Sequence, residues 1–140
     1  MYNHYTKIRV RYSETDQMSY VYYGNYAQYY EVGRVEMIRS LGLTYRDLEE
    51  KYGVLMPVMS MNIRYVRPAF YDEELKISTS VKKIPEDYID FHVEIHNEDE
   101  KMVNQAKLRL IFINKEDGIR IKAPKVLVEK LAIHFDSPLK

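Results

Sequence analysis

Hydrophobic and polar residues change period three times along the chain, and each change marks an element. From Lys7 to Tyr12 they alternate, with Ile8, Val10 and Tyr12 on one face and Lys7, Arg9 and Arg11 on the other. This predicts a strand over 7–12 with one side buried. Tyr26, Tyr30, Gly33, Met37 and Leu41 then recur at helical spacing, which predicts a helix of about four to five turns, with Asn25 as N-cap and Gly42 as its stop. Glycine inside a helix costs about 1 kcal/mol relative to alanine. A neighbouring backbone pressed closely against the helix is therefore the expected reason for Gly33. Thr44 to Tyr52 predicts a short second helix, capped by Thr44 and closed by Gly53.

From Val54 to about Asn114 the period returns to two. Met59, Met61, Ile63 and Tyr65 oppose Ser60, Asn62 and Arg64 up to Pro68. Leu75, Ile77, Thr79 and Val81 form the inner face of the next strand, Ile89, Phe91, Val93 and Ile95 that of the third, and Ala106, Leu108, Leu110 and Phe112 that of the fourth. The polar runs at Pro85-Glu86-Asp87 and Asn97 to Lys101 supply turns, so the four strands are expected to follow one another as an antiparallel meander. Pro124 opens a short terminal helix bearing Leu127 and Leu131. Strand, long helix, short helix and four strands make an α+β fold with one antiparallel sheet. With one long helix to cover that sheet, pairing of protomers edge to edge or face to face is expected.

Length and composition narrow the function. The 140 residues suit one domain spanning 1–140. No apolar run approaches the roughly 20 residues of a membrane span, and the N-terminus lacks the apolar stretch of a signal peptide, so the expected location is cytoplasmic and no membrane partner is expected. Zero cysteines remove disulfides, thiol nucleophiles and thiolate metal sites. Lys+Arg and Asp+Glu balance at 21 each, so no net field favours nucleic acid. Fourteen tyrosines against four phenylalanines suit half-wet positions such as core rims, an interface or a pocket wall.

Candidate chemistry concentrates between Tyr12 and Tyr26, where an acidic turn separates the first strand from the long helix. A carboxylate at Asp16, just ahead of a helix N-terminus, lies beside unpaired amide donors. Together they could attack and polarise one carbonyl group. A plain turn or N-cap aspartate is the other reading of the same residue. His92, Glu94 and His96 share a strand face, but His92 and His96 are about 13 Å apart at strand spacing and cannot ligate one ion. Serine-triad, phosphate-loop and dinucleotide motifs are absent from the sequence.

The run from Tyr12 to Glu36, with Glu14-Thr15-Asp16, Val21-Tyr22, Asn25-Tyr26, Tyr30-Glu31 and Arg34-Val35-Glu36, resembles the hotdog-fold thioesterases of the 4-hydroxybenzoyl-CoA and YbgC-like acyl-CoA type. A second block, from Pro57-Val58 through Arg64-Tyr65-Val66-Arg67-Pro68-Ala69 to Asp72-Glu73-Glu74-Leu75, matches the same family. The resemblance implies a sheet wrapped around one long helix and hydrolysis of an acyl-CoA. It also implies homodimers joined edge to edge with the active site at their interface, and frequent pairing into tetramers. It places the catalytic carboxylate at Asp16 and the carbonyl-polarising backbone N–H at Tyr23. Tyr22, Asn25 and Tyr26 are the candidate substrate-binding residues, and no metal or other cofactor is implied. Ser19 departs from the pattern, standing where the family usually carries glycine. If the backbone there needs positive φ, serine is strained by about 1 kcal/mol or more; otherwise the loop takes another path. The family's basic nucleotide contacts fall at Pro85-Glu86, with Lys82 and Lys83 as the nearest cations. Two other readings share the fold: a hydratase or dehydratase, for which no histidine lies near Asp16 in sequence, and a binding module that holds acyl thioesters without turnover.

Overall fold

The computed structural model describes residues 1–135, so the end of the expected 1–140 domain lies outside the described residues. Strand β1 (Tyr2–Arg9) starts and ends earlier than its alternation predicts. It pairs antiparallel with β4 (Glu74–Val81), Tyr2 opposite Val81 and Arg9 opposite Glu74. Beyond Arg9 the last backbone bonds on that side join Val10 to Glu73 and Asp72. Val10 is buried as expected, but Tyr12 is 78% exposed, because the chain has by then turned into a 3-10 turn at Tyr12–Glu14.

Strands β4, β5 (Tyr88–His96) and β6 (Met102–Asn114) are consecutive antiparallel neighbours. Their predicted inner positions are buried, from Leu75, Ile77 and Val81 through Phe91 and Ile95 to Leu108 and Phe112. The meander does not extend to β3 (Val58–Tyr65), which pairs with β6 instead of β4. Both sides of β4 are already occupied, by β1 and β5. Residues 104–110 of β6 pair with both β5 and β3, so β3 lies on the opposite side of β6 and forms an edge. The short strands β2 (Val54–Leu55) and β7 (Arg120–Ile121) pair with the far end of β6.

The expected burial of Met59, Met61 and Tyr65 fails along this edge. All three are exposed, and only Ile63 is half-buried. The long helix α1 (Tyr26–Ser40) lies against β1, β4 and β5 rather than over β3, which leaves those side chains without a covering layer in one protomer. Helices α2 (Tyr45–Glu50) and α3 (Lys125–Ala132) close the ends of the core through Leu48, Leu127 and Leu131. Thr44 caps α2 as predicted, its Oγ1 accepting from the Asp47 amide at 2.9 Å. The result is the expected α+β hotdog arrangement, an antiparallel sheet with one long helix against it. No helix among the described residues is long and apolar enough to cross a membrane.

At Gly33 α1 comes close against the sheet. A Cβ there would lie 2.6 Å from Thr79 Oγ1 and 2.8 Å from Ile77 Cγ2, both on the buried face of β4. Gly33→Ala is therefore expected to lower stability by about 1–2 kcal/mol, overpacking outweighing the roughly 1 kcal/mol gain in helix propensity. Chemical denaturation of the two proteins checks this, and an unchanged or raised midpoint would show that the helix can move off the sheet.

Candidate active site

Asp16 stands in a tight hairpin. Thr15 and Val21 form an antiparallel bridge, the Asp16 amide donates to the Tyr20 carbonyl at 2.8 Å, and the Tyr22 amide donates to the Glu14 carbonyl at 2.9 Å. The Met18 and Tyr20 amides both donate to Asp16 Oδ1, at 2.8 and 3.3 Å. One carboxylate oxygen thus holds the turn, and Oδ2 has no hydrogen-bond partner among the described residues. The turn-aspartate and reactive-carboxylate readings therefore fall on different oxygens of one residue. Beside it is a concavity of about 570 Å³ lined by Tyr12, Ser13, Thr15, Gln17, Ser19 and Tyr71.

Ser19 has φ +66°. The loop thus keeps the left-handed path that glycine adopts freely, and serine bears the strain. The hairpin is fastened to the second sequence block, with the Val21 amide donating to the Ala69 carbonyl at 2.8 Å and Tyr20 bridging Phe70. Two segments about fifty residues apart in sequence are therefore adjacent in the fold.

The helix begins through a 3-10 turn, Tyr23–Asn25. Asn25 precedes α1 as expected but its side chain makes no cap. Its Nδ2 instead donates to the Glu14 carbonyl at 2.8 Å. The Tyr23 and Gly24 amides have no acceptor among the described residues, so the start of the helix presents free donors and the positive end of its dipole. The Tyr22 ring lies over Gly24, where a Cβ would meet it at 2.8 Å. Tyr22 and Tyr23 are exposed and their rings are 4.7 Å apart. Tyr26 is 4% exposed, set edge-on to Tyr29 and Tyr65, and burial pushes its hydroxyl up to about 12. Asp16, Tyr22, Tyr23 and Asn25 are thus brought into one hairpin and turn, while Tyr26 faces the core. Tyr23 does not line the concavity beside Asp16.

Glu14 is the residue that sequence reasoning passed over. It is 5% exposed, and its Oε1 accepts from the Arg11 amide at 2.9 Å and the Tyr29 hydroxyl at 2.8 Å. Oε2 accepts from Arg11 Nε at 3.1 Å and Nη2 at 2.7 Å. Burial acts to raise the carboxyl's pKa, but hydrogen bonds from Arg11 and Tyr29 outweigh it and hold the group below its ordinary value. The available signal was the Arg11-x-x-Glu14 spacing together with a tyrosine on the inner face of α1.

The histidines are elsewhere. His92 is opposite Ser80 and Lys107, and His96 is opposite Lys76, on the face of the sheet away from α1. Burial first, then Lys82 and Lys107, lower the His92 pKa. Among the described residues no group of three His, Cys, Asp or Glu is placed to hold a metal ion. His134 is exposed, with its ring 4.2 Å from that of Tyr2, whereas His4 is half-buried and its Nδ1 has no partner among the described residues.

Two solution measurements follow from this geometry. Ser19→Gly is expected to raise stability by up to about 1 kcal/mol, strain relief exceeding the added freedom of the unfolded chain; equal denaturation midpoints would show that the serine is unstrained. A carboxyl whose folded pKa is depressed contributes stability above its unfolded value of about 4.3, and that contribution is lost as pH falls through the folded value. Glu14→Gln is therefore expected to flatten the acid limb of a stability–pH profile below about pH 5. Part of the limb should remain from Asp90, which hydrogen bonds from Arg109 depress in the same way.

The thioesterase-like superfamily model matches residues 10–131. A putative acyl-CoA thioesterase, YneP, of Bacillus subtilis is 40% identical over 114 residues, covering 79% of each chain. Acyl-CoA thioesterase YbgC of Haemophilus influenzae is 31% identical over 77 residues, covering 55% of this chain and 57% of its own. The crystal structure of a DHNA-CoA thioesterase from Staphylococcus aureus superposes with a TM-score of 0.82 at 36% identity, over 87% of this chain and 81% of that one. A complex of 4-hydroxybenzoyl CoA thioesterase with 4-hydroxybenzoyl CoA shares the fold, with a TM-score of 0.83 at 19% identity over 91% and 97% of the two chains. With the match running from the end of β1 through α3, the chain belongs to the thioesterase-like superfamily.

Proposed function

We propose that this protein hydrolyses the thioester of an acyl-CoA to the free acid and CoA, with Asp16 as general base or nucleophile and the Tyr23 amide as oxyanion donor. The observation that carries the reading is the uncapped helix N-terminus directly after the hairpin that presents Asp16 Oδ2. In the base route Asp16 takes a proton from water as the hydroxide oxygen bonds to the acyl carbon. The thioester carbonyl becomes an oxyanion held by the Tyr23 N–H. Its collapse breaks the carbon–sulfur bond, expels the CoA thiolate and leaves the acid. In the nucleophilic route Asp16 Oδ2 attacks the carbon, collapse of the oxyanion breaks the carbon–sulfur bond and expels the CoA thiolate, and water then cleaves the resulting mixed anhydride to the free acid and the Asp16 carboxylate. Neither route calls on a cofactor, since the thiolate is already a good leaving group. The relatives named as acyl-CoA thioesterases support the substrate class.

The working unit in this reading is a homodimer with the site at its interface, with pairing of dimers into a tetramer. One feature supports it. The open β3 edge carries exposed Met59, Met61 and Tyr65, and the Tyr65 hydroxyl reaches the Tyr23 carbonyl at 3.4 Å, so this edge adjoins the helix N-terminus. Tyr22 and Asn25 flank the substrate in this arrangement and Tyr26 backs it from the core. The proposed location is the cytoplasm, where a chain without cysteine loses nothing to a reducing environment.

Release of CoA from short, medium, long and aromatic acyl-CoAs tests the reading. Asp16→Asn should reduce kcat by about 100-fold or more on the preferred substrate, with little change in the denaturation midpoint. Wild-type turnover surviving in that variant would remove Asp16 from the chemistry.

A further inference from the structure

We infer that Glu14 is a positioning residue whose buried carboxylate, clamped by Arg11 and Tyr29, sets the Asp16 hairpin against the N-terminus of α1. This deepens the reading of Asp16 and the Tyr23 amide given above and rests on it. Glu14 is bonded through both of its acceptor groups. Its carboxylate takes Arg11 on the strand side and the Tyr29 hydroxyl from the first turn of α1. Its chain carbonyl takes the Tyr22 amide at 2.9 Å and Asn25 Nδ2 at 2.8 Å. Glu14 is thus two residues from Asp16, while Tyr22, the residue it holds, immediately precedes Tyr23.

Two physical points separate this role from general support of the core. A buried carboxylate with its donors adds little net stability over apolar packing of the same volume, so stability alone does not account for a charge at this point. The network also spends the Asn25 side chain on the Glu14 carbonyl. An asparagine at this position would ordinarily cap the Ala27 or Gln28 amide; here its side chain instead ties the start of the helix to the Glu14 carbonyl. Geometry of this kind is exacting, because displacement of reacting groups by about 1 Å can cost on the order of 100-fold in rate.

Tyr29→Phe removes one donor from Glu14 and keeps the ring, and Glu14→Gln removes the charge and keeps the shape. Both are expected to lower kcat about tenfold with KM within about twofold, while remaining folded at the assay temperature. Amide hydrogen exchange at Tyr20 and Tyr22 should rise about tenfold in both variants, with the amides of β4 and β5 unaffected. Wild-type kcat and wild-type exchange in both variants would overturn the proposal. So would activity that falls only in proportion to the unfolded fraction. Asp16→Asn run alongside separates the two levels: if it is inactive while Tyr29→Phe and Glu14→Gln keep full kcat, the positioning role fails and the site stands. If Asp16→Asn is fully active, the site reading fails, and unchanged exchange at Tyr20 and Tyr22 would then remove the structural coupling as well.

Discussion

A carboxylate withdrawn from water must find donors for its oxygens, and Glu14 finds four: three from Arg11 and one from Tyr29. Those donors come from the segment that follows β1 and from the inner face of α1, so satisfying one buried charge joins the hairpin to a helix the chain forms later. The hairpin between them inherits its position. Without that tie, its remaining attachments run to Ala69 and Phe70 and, through the Glu14 carbonyl alone, to Asn25 at the start of the helix. The start of the helix would then be held less firmly relative to Asp16.

The helix in turn is fixed against the sheet by absence of a side chain. Gly33 lets α1 approach β4 until Ile77 and Thr79 touch its backbone, and Tyr30 reaches across the core to hydrogen-bond Asn104 on β6. Close packing on that side has a counterpart at β3, which α1 does not cover. Along this edge, methionines and Tyr65 remain exposed in one chain. The same placement that gives α1 a dense core contact leaves an exposed apolar strip beside its N-terminus, on which the proposed dimer rests.

Much of this was legible in the residues. The inner faces of β4, β5 and β6, the axis of α1 and the capped start of α2 follow from periodicity and local sterics, because each depends on neighbours a few residues away; a close approach at Gly33 was also expected, but of a neighbouring backbone, and it is the Ile77 and Thr79 side chains that crowd it. The limits of β1 and the place of β3 did not follow. Tyr12 continues the alternation of its strand yet lies past the last available partner, and Met59 and Met61 alternate as an inner face should but have no layer above them among the described residues. Periodicity reports which residues share a face; it does not report whether anything covers that face. In the candidate site, Asp16 and the helix start could be picked out by motif, whereas Glu14 stood in the same motif with no role assigned to it.

Ser19 shows the division most clearly. The sequence by itself determined that a serine stands in the loop, that an acidic hairpin precedes a long helix, and that a strand-rich remainder must bury Leu75, Phe91 and Leu108 on one side. Tertiary structure decided that the serine takes a left-handed φ, that Asn25 turns to the Glu14 carbonyl instead of capping, and that β3 becomes an edge. Local periodicity is encoded within a few residues and can be read from them. Hydrogen-bond partners and strand neighbours depend on competition between segments far apart in the chain, and that competition is resolved only when the whole fold closes.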